Sequence, residues 1–408
     1  MLLASALGLI KFLILAHIMT PVDYGQYVAL FGVAAMLSVV MSFGQIEGTT
    51  KLYPRWWIES KAPKILMHAR GVSLILAKRF ALAMILALAV VSYGQFSYSF
   101  GDIFLIGVLG LLTALLALIA SLYRAIGSPR ALQKFNVYRS SFAFVLSIIG
   151  GWALGWQGAL AGDLTSCILI FIYAIYQVRM LCVLHTQSPV ILSSNIESPT
   201  AVTDSGASHL YLSNLFISST TLLDKAWIGA ALGASMAGAY SVIALIPQIA
   251  QLIVNIVAQY VGPLVIKFAH LKHDDKSRIS ALWFQAVLLI IFSTFLTCCA
   301  LFAKRIPYIE SFFMKYEISD LSLIFAGSLA ATQIYGLIEF HLIAQDRETD
   351  ILKGSLSGWV LFVSLFAVAT WQSLGLEWFI ASAVLSKLLQ VLILQRAYSR
   401  SRLEQSTI

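Results

Sequence analysis

Charge is scarce in this sequence. Asp, Glu, Lys and Arg make up only 11% of its 408 residues, against about 25% in soluble domains. A water-facing surface needs roughly a quarter to a third ionic residues, so a soluble multidomain protein is excluded. Clusters that carry chemistry are scarce as well. The four cysteines, Cys167, Cys182, Cys298 and Cys299, show no Cys-x-x-Cys or metal-ligand spacing. Cys167, Cys298 and Cys299 lie inside apolar runs and read as small core residues. No Walker A loop is present to cradle nucleotide phosphates. No Ser/His/Asp or Cys/His set reads as catalytic, so neither an enzyme nor a cofactor is expected. The one metal-like run, His270-Leu271-Lys272-His273-Asp274-Asp275, reads as a solvated charged loop, and no metal site is expected.

What is abundant is apolar surface. The residues AVILMFWYC make up 59% of the chain, which excludes disorder. They come in blocks of about 20, long enough to cross a hydrocarbon core of roughly 30 Å. Twelve such blocks can be marked, at roughly 2–19, 26–48, 77–95, 102–123, 137–155, 158–178, 209–232, 236–260, 281–302, 319–343, 354–372 and 376–395. The expected fold is an all-α polytopic membrane protein whose partner is membrane lipid. The first block is not a cleavable signal peptide, because it lacks a basic leader and holds Lys11 in its middle. The longest stretches outside the blocks are 49–76, which is basic, and 179–208, which is rich in Ser, Thr and Pro and reads as a flexible linker. The expected domains are a six-helix bundle over 1–178, the linker 179–208, and a second six-helix bundle over 209–408.

The 27 Lys and Arg outweigh the 19 Asp and Glu by 8 charges. No basic patch with interleaved aromatics forms a domain, so nucleic acid is not a partner. The basic residues instead report orientation. Twenty-one lie in the loops after even-numbered spans, within three residues of those loops, or in the C-terminal tail, and three belong to the other loops. Both termini are therefore expected on the cytoplasmic side. Trp56, Trp57, Trp152, Trp156, Trp371 and Trp378 fall at block ends, where interfacial anchors belong.

The chain also carries a weak internal repeat. Thr20-Pro21-Val22-Asp23-Tyr24-Gly25-Gln26-Tyr27 follows the first block, and Gly233-Ala234-Ser235-Met236-Ala237-Gly238-Ala239-Tyr240 follows the seventh, 213 residues later. A second pair, starting at Tyr123 and Phe340, is offset by 217. Six blocks per repeat is an even number, so both halves enter from one side and form parallel repeats, an arrangement used by rocking transporters.

The stretch from Ile14 to Tyr27 resembles the hydrophobic helix followed by [LT]-[GT]-P-x-[DE]-[YF]-G-x-Y that opens polysaccharide biosynthesis membrane proteins. These are the Wzx-type O-antigen flippases of the multidrug/oligosaccharidyl-lipid/polysaccharide exporter superfamily. The seventh block, with Asp224-Lys225 ahead of a Gly-x-Tyr turn, is similar to that family's second-half start. The resemblance implies two six-helix halves around a central cavity and a lipid-linked oligosaccharide as substrate.

Several residues then become candidates. A charge at the bilayer centre costs about 2.5–3.5 kcal/mol even on insertion scales. Lys11 and Lys225 lie about 12–13 Å of helix from the turns that follow them, near the midplane. Facing one cavity, they could bind a pyrophosphate; as structural pairs or snorkelling stems, they would not. Lys387 is the third lysine inside a block. Gln248, Gln251 and Asn255, with Gln259, share a helical face, as do Ser38, Ser42 and Gln45. Shifting by 213 puts Ser38 on Gln251 and Ser42 on Asn255. These stripes read as a cavity lining for sugar hydroxyls or as polar glue between helices. Asp224 and Lys225 are adjacent and should point about 100° apart. Asp224 and Glu339 are the candidates for coupling to a proton or sodium. Glu47 reads as a local partner of Lys51, and Asp163 as hydrated near the outer face. Gly44-x-x-x-Gly48 and Gly229-x-x-x-Gly233 read as packing signals. The expected function is to flip an undecaprenyl-pyrophosphate-linked repeat unit across a bacterial inner membrane for O-antigen or capsule assembly. A cation-coupled multidrug exporter of the same fold is the alternative.

Overall fold

The computed structural model describes residues 2–58, 62–93, 99–125, 129–186, 205–254, 275–343, 345 and 347–406. Every regular element among them is helical. In chain order these are α1 (Leu2–Ile18), α2 (Pro21–Ser42), α3 (Gln45–Ile58), α4 (Ala62–Tyr93), α5 (Phe100–Ala125), α6 (Pro129–Thr186), α7 (Ser205–Leu222), α8 (Asp224–Leu232) and α9 (Ala234–Ile243). There follow α10 (Leu245–Val254), α11 (Asp275–Ala303), α12 (Pro307–Lys315), α13 (Asp320–Ala331), a 3₁₀ step (Thr332–Ile334), α14 (Tyr335–Ile343), α15 (Glu348–Trp371) and α16 (Leu376–Ser406).

Seven of these are apolar and long enough to cross a membrane unaided: α2, α5, α6, α11, α13–α14, α15 and α16. The predicted fifth and sixth spans are the two arms of α6. They part at Leu154 and Gly155, where Gly155 takes φ 62° and ψ −144°. The other predicted spans are α1, α4, the broken α7–α8, and α9–α10, bent by 41°. The chain is thus a multi-pass helical membrane protein.

The sequence pattern misplaces the second span, expected at 26–48. α2 begins earlier because Thr20 caps it. Thr20 Oγ1 accepts from the Asp23 N–H at 3.1 Å and donates to the Asp23 carboxylate at 2.7 Å, with Pro21 at the first helical position. The helix ends earlier because Phe43 and Gly44 adopt φ 41° and 78°. Arg79 closes that end by donating to the Met41 and Ser42 carbonyls at 3.0 and 3.3 Å. Gly44 is therefore a helix breaker, and so is Gly233 at φ 96° between α8 and α9. The other glycine of the second run, Gly229, does pack, its Cβ position lying 3.5 Å from Ala237 Cβ and 4.0 Å from Ala29 Cβ.

Contacts sort the chain into two compact units, 1–19 with 30–211 and 20–29 with 212–408. In the first unit the arms of α6 meet through glycine. A Cβ added at Gly150 would collide with the Gly158 carbonyl, and one at Gly162 with the Leu146 carbonyl. α1 packs on α6, and α5 packs on α3, α4 and α6.

In the second unit the start of α2 crosses the start of α9. A Cβ on Gly25 would land on the Ala234 carbonyl, and one on Gly238 would lie 2.6 Å from the Pro21 carbonyl. Gly25 and Gly238, like Pro21 and Ala234, are 213 apart in sequence. The contact is reciprocal, as at a two-fold axis, and it uses the offset read from the sequence. Elsewhere in this unit α16 packs on α13, α14 and α15, and α11 packs on α13. Cys298 and Cys299 on α11 are exposed, unlike buried Cys167, so only one of these three is a core residue. An exposed apolar face is what a helix turned toward lipid presents.

Candidate functional site

The first unit holds a dry ion pair. Lys11 on α1 is 5% exposed, and its ammonium donates to Asp163 Oδ1 at 2.8 Å. Ser147, on the other arm of α6, donates to the same oxygen at 2.8 Å. The rings of Phe12 and Phe31 lie 5.0 and 5.1 Å from the ammonium. Asp163 is 3% exposed, so it is not the hydrated outer residue that the sequence suggests. The hairpin at Gly155 folds it back beside Ser147 and under α1. The ammonium of Lys11 is thereby engaged by an internal carboxylate.

Other residues proposed from sequence also fall in this unit. Ser38 and Ser42 donate to carbonyls of their own helix, Ala35 at 2.6 Å and Val39 at 2.8 Å. Gln45 begins α3, beyond the Phe43–Gly44 break, so it does not continue the stripe of α2. The side chain of Glu47 lies outside the described residues, as do Asn255, Gln259 and the run from His270 to Asp274.

The second unit contains a cavity with an empty volume of ≈ 500 Å³, its open mouth included. Asp224, Lys225, Gln248, Gln251, Gln333 and Lys387 all line it. Irregular backbone positions most of them. α7 breaks at Leu223, which makes Asp224 the first residue of α8. The bend between α9 and α10 carries Gln248 and Gln251 inward, and the 3₁₀ step carries Gln333. At membrane depth such breaks are tolerated where the freed backbone lines a wet cavity, and discontinuous helices often build transporter sites.

Both oxygens of Asp224 are engaged. Oδ1 accepts from the Lys225 N–H at 2.7 Å, and Tyr240 Oη donates to Oδ2 at 2.7 Å. A carboxylate at a helix N-terminus is also favoured by the helix dipole. Lys225 Nζ donates to the Thr221 carbonyl at 3.1 Å and lies 3.4 Å from Asp224 Oδ1. Regular helix geometry would hold the adjacent side chains apart. The long lysine stem instead folds back over the break, toward the last turn of α7.

The structure adds a cation that the sequence reading left without a role. Lys387 on α16 is 6% exposed. Its ammonium donates to Gln390 Oε1 at 3.3 Å and sits 4.7 Å from the Tyr335 ring centroid. Its presence inside a span was the available signal. Glu339 on α14 lies within electrostatic range of Lys387, and its Oε1 is buried without a hydrogen-bond partner. No cluster of metal-ligating residues occurs among the described residues. The cavity therefore gathers Lys225, Gln248, Gln251 and Asp224 from the sequence-derived candidates and adds Gln333 and Lys387.

No protein-family model matches the chain, and no curated protein matches it. Solved structures do. The inward-facing conformation of a multidrug resistance MATE family transporter of the MOP superfamily aligns over 99% of this chain and 96% of its own, with TM-score 0.69 and 14% identity. A MATE transporter of Vibrio cholerae aligns over 98% and 93%, with TM-score 0.62 and 14% identity. A MOP superfamily transporter from Pyrococcus furiosus, described as having a binding pocket of reverse polarity, aligns over 98% and 93%, with TM-score 0.58 and 13% identity. The chain has the fold of MOP superfamily transporters.

Proposed function

We propose that this chain is a membrane transporter that flips an undecaprenyl-pyrophosphate-linked oligosaccharide from the inner to the outer leaflet by alternating access. The observation that carries this reading is the make-up of the cavity. Two lysines face one aspartate there, beside three glutamine carboxamides. Ammonium groups suit phosphate oxygens, and carboxamides supply both donors and acceptors for sugar hydroxyls. A diphosphate brings at least two negative charges, which lipid alone would not admit. The membrane is a bacterial inner membrane, with both termini and loop 49–76 cytoplasmic, as the basic residues favour. The halves 1–178 and 209–408 act as the moving bodies, joined by 179–208. Lys11, Ser38, Ser42, Gln45 and Asn255 belong to this reading as further substrate contacts. Asp224 and Glu339 belong to it as sites of proton or sodium coupling.

Gene deletion followed by gel analysis of surface polysaccharide tests the reading. Loss of polymer with accumulation of lipid-linked units is expected. Intact polymer at normal chain length overturns it. Labelling of a thiol placed near Ser60 from outside the cell would overturn the orientation. The second reading is a cation-coupled multidrug exporter, favoured by the multidrug transporters among the fold neighbours. Under that reading, deletion sensitises cells to cationic drugs and leaves the polymer untouched.

A further inference from the structure

Among the described residues Lys11 and Lys387 are buried and Lys225 is part-buried, and their partners differ. Lys11 has a carboxylate oxygen at 2.8 Å. Lys225 has one at 3.4 Å and a carbonyl at 3.1 Å. Lys387 has a single neutral acceptor at 3.3 Å and an aromatic face; Glu339 and Asp224 act on it electrostatically, but neither is within ion-pair distance. An ammonium group carries three donors, so two of those on Lys387 have no acceptor among the described residues. Gln390, one turn further along α16, is 2% exposed, and its Nε2 is buried without a partner. A native protein leaves few buried polar groups unpaired, and here an unmatched cation and an unmatched N–H donor share one helix face. Lys387 lines the ≈ 500 Å³ cavity and also a second, smaller pocket that Gln390 lines, with Thr220 and Ser386 common to both. The smaller pocket has an empty volume of ≈ 170 Å³.

We infer that Lys387, assisted by the Gln390 carboxamide, is the principal anchor for the oxyanion of the transported molecule, ahead of both Lys225 and Lys11. The inference rests on the anionic-substrate reading and changes which residues carry it. An incoming phosphate oxygen meets an ammonium that Glu339 and Asp224 influence only from beyond ion-pair distance, whereas at Lys225 it must displace Asp224 at 3.4 Å, and at Lys11 Asp163 at 2.8 Å. Charge-assisted bonds to a desolvated cation are among the stronger polar contacts. Leaving Lys387 unmatched in the empty state keeps that interaction for the ligand.

The test uses the full chain in lipid nanodiscs, with farnesyl diphosphate as the probe. Wild-type protein binds it, and Lys387→Met weakens binding by at least about tenfold, the loss of one charge-assisted bond. Lys225→Met and Gln390→Leu weaken it less, and Lys387→Arg retains part of it. The melting temperature separates anchoring from architecture. Methionine removes a buried cation that has no carboxylate within ion-pair distance among the described residues, so Lys387→Met should melt close to the wild-type temperature. Binding by Lys387→Met equal to wild type overturns the inference alone. So does a Lys387→Met protein that melts well below wild type while Lys387→Arg restores stability without binding. Wild-type protein that ignores farnesyl diphosphate but binds ethidium overturns the inference together with the anionic-substrate reading.

Discussion

The two units bury their cations in opposite ways. In the first, Lys11 is closed off between helices with an aspartate and a serine hydroxyl, and two phenyl rings fill the remaining directions. In the second, Lys225 and Lys387 border a wet cleft, one loosely held by its neighbour and one with a single neutral acceptor. In sequence all three are a lysine in an apolar run. Pairing, more than depth in the membrane, is what distinguishes these three lysines.

The comparison can be broken most sharply at Asp163. Asp163→Asn leaves Lys11 buried without its counterion, and a loss of about 3–5 kcal/mol is expected. Thermal unfolding in detergent measures it. The double variant Lys11→Met with Asp163→Leu should recover most of the loss, because the pair is replaced by apolar volume. A single variant as stable as wild type would show that the first unit's pair is no more structural than the second unit's lysines.

Next in size is the crossing of α2 and α9. Gly25→Ala places a methyl group on a carbonyl, and about 1–3 kcal/mol or more is expected from overpacking. Gly71→Ala, with open space around its Cβ position, should cost far less and serves as the control. Equal melting temperatures for the two variants would refute the close approach.

Tyr240→Phe sharpens the contrast from the other side. It removes the hydroxyl that holds Asp224 Oδ2, at about 1–3 kcal/mol for a buried charged acceptor left short of a donor. Asp224 then relies more on Lys225, so diphosphate binding should weaken at fixed pH. Binding isotherms for wild type and variant check this.

The smallest effect lies outside the spans, at His68. Its ring accepts or donates at 3.1 Å with Tyr53 Oη, beside Trp56. Burial, and then the nearby Lys64 charge, hold its pKa below the usual imidazole value. The neutral ring is the form that the folded state favours. This contribution is therefore complete above about pH 6.5, and it is lost as pH falls toward the lowered value. A melting curve series from pH 8 to 5 should decline less steeply for His68→Gln than for wild type.

The spans and their pairing into repeats were legible in the sequence, because lipid imposes length and apolarity on each helix separately. Local breaks were less so. Thr20 and Asp23 could have announced the start of α2, yet the polar turn looked like a loop beside the stronger apolar signal further on. The partner of Lys11 was not legible, since Asp163 lies 152 residues away and reaches it through a hairpin. Lys387 was visible as a residue, but not that its carboxylate neighbours stop short of ion-pair distance, which depends on where α14 sets Glu339. Periodicity correctly put Gln248 and Gln251 on one face. It could not distinguish them from Ser38 and Ser42, whose hydroxyls turn to their own helix.

The reciprocal crossing has a consequence for how two fused copies can diverge. In a homodimer every substitution at the axis strikes both copies at once. In one chain the copies are free to differ wherever the contact does not bind them. The polar cap has done so: Thr20, Pro21 and Asp23 open α2, whereas Gly233, Ala234 and Met236 open α9, and a left-handed glycine replaces the cap. Gly25 and Gly238 have not, since each faces a backbone carbonyl of the other copy, and no side chain on either could be accommodated by changing a side chain opposite. The duplication is thus written most durably where backbone meets backbone, and most freely where a helix end can be closed in more than one way.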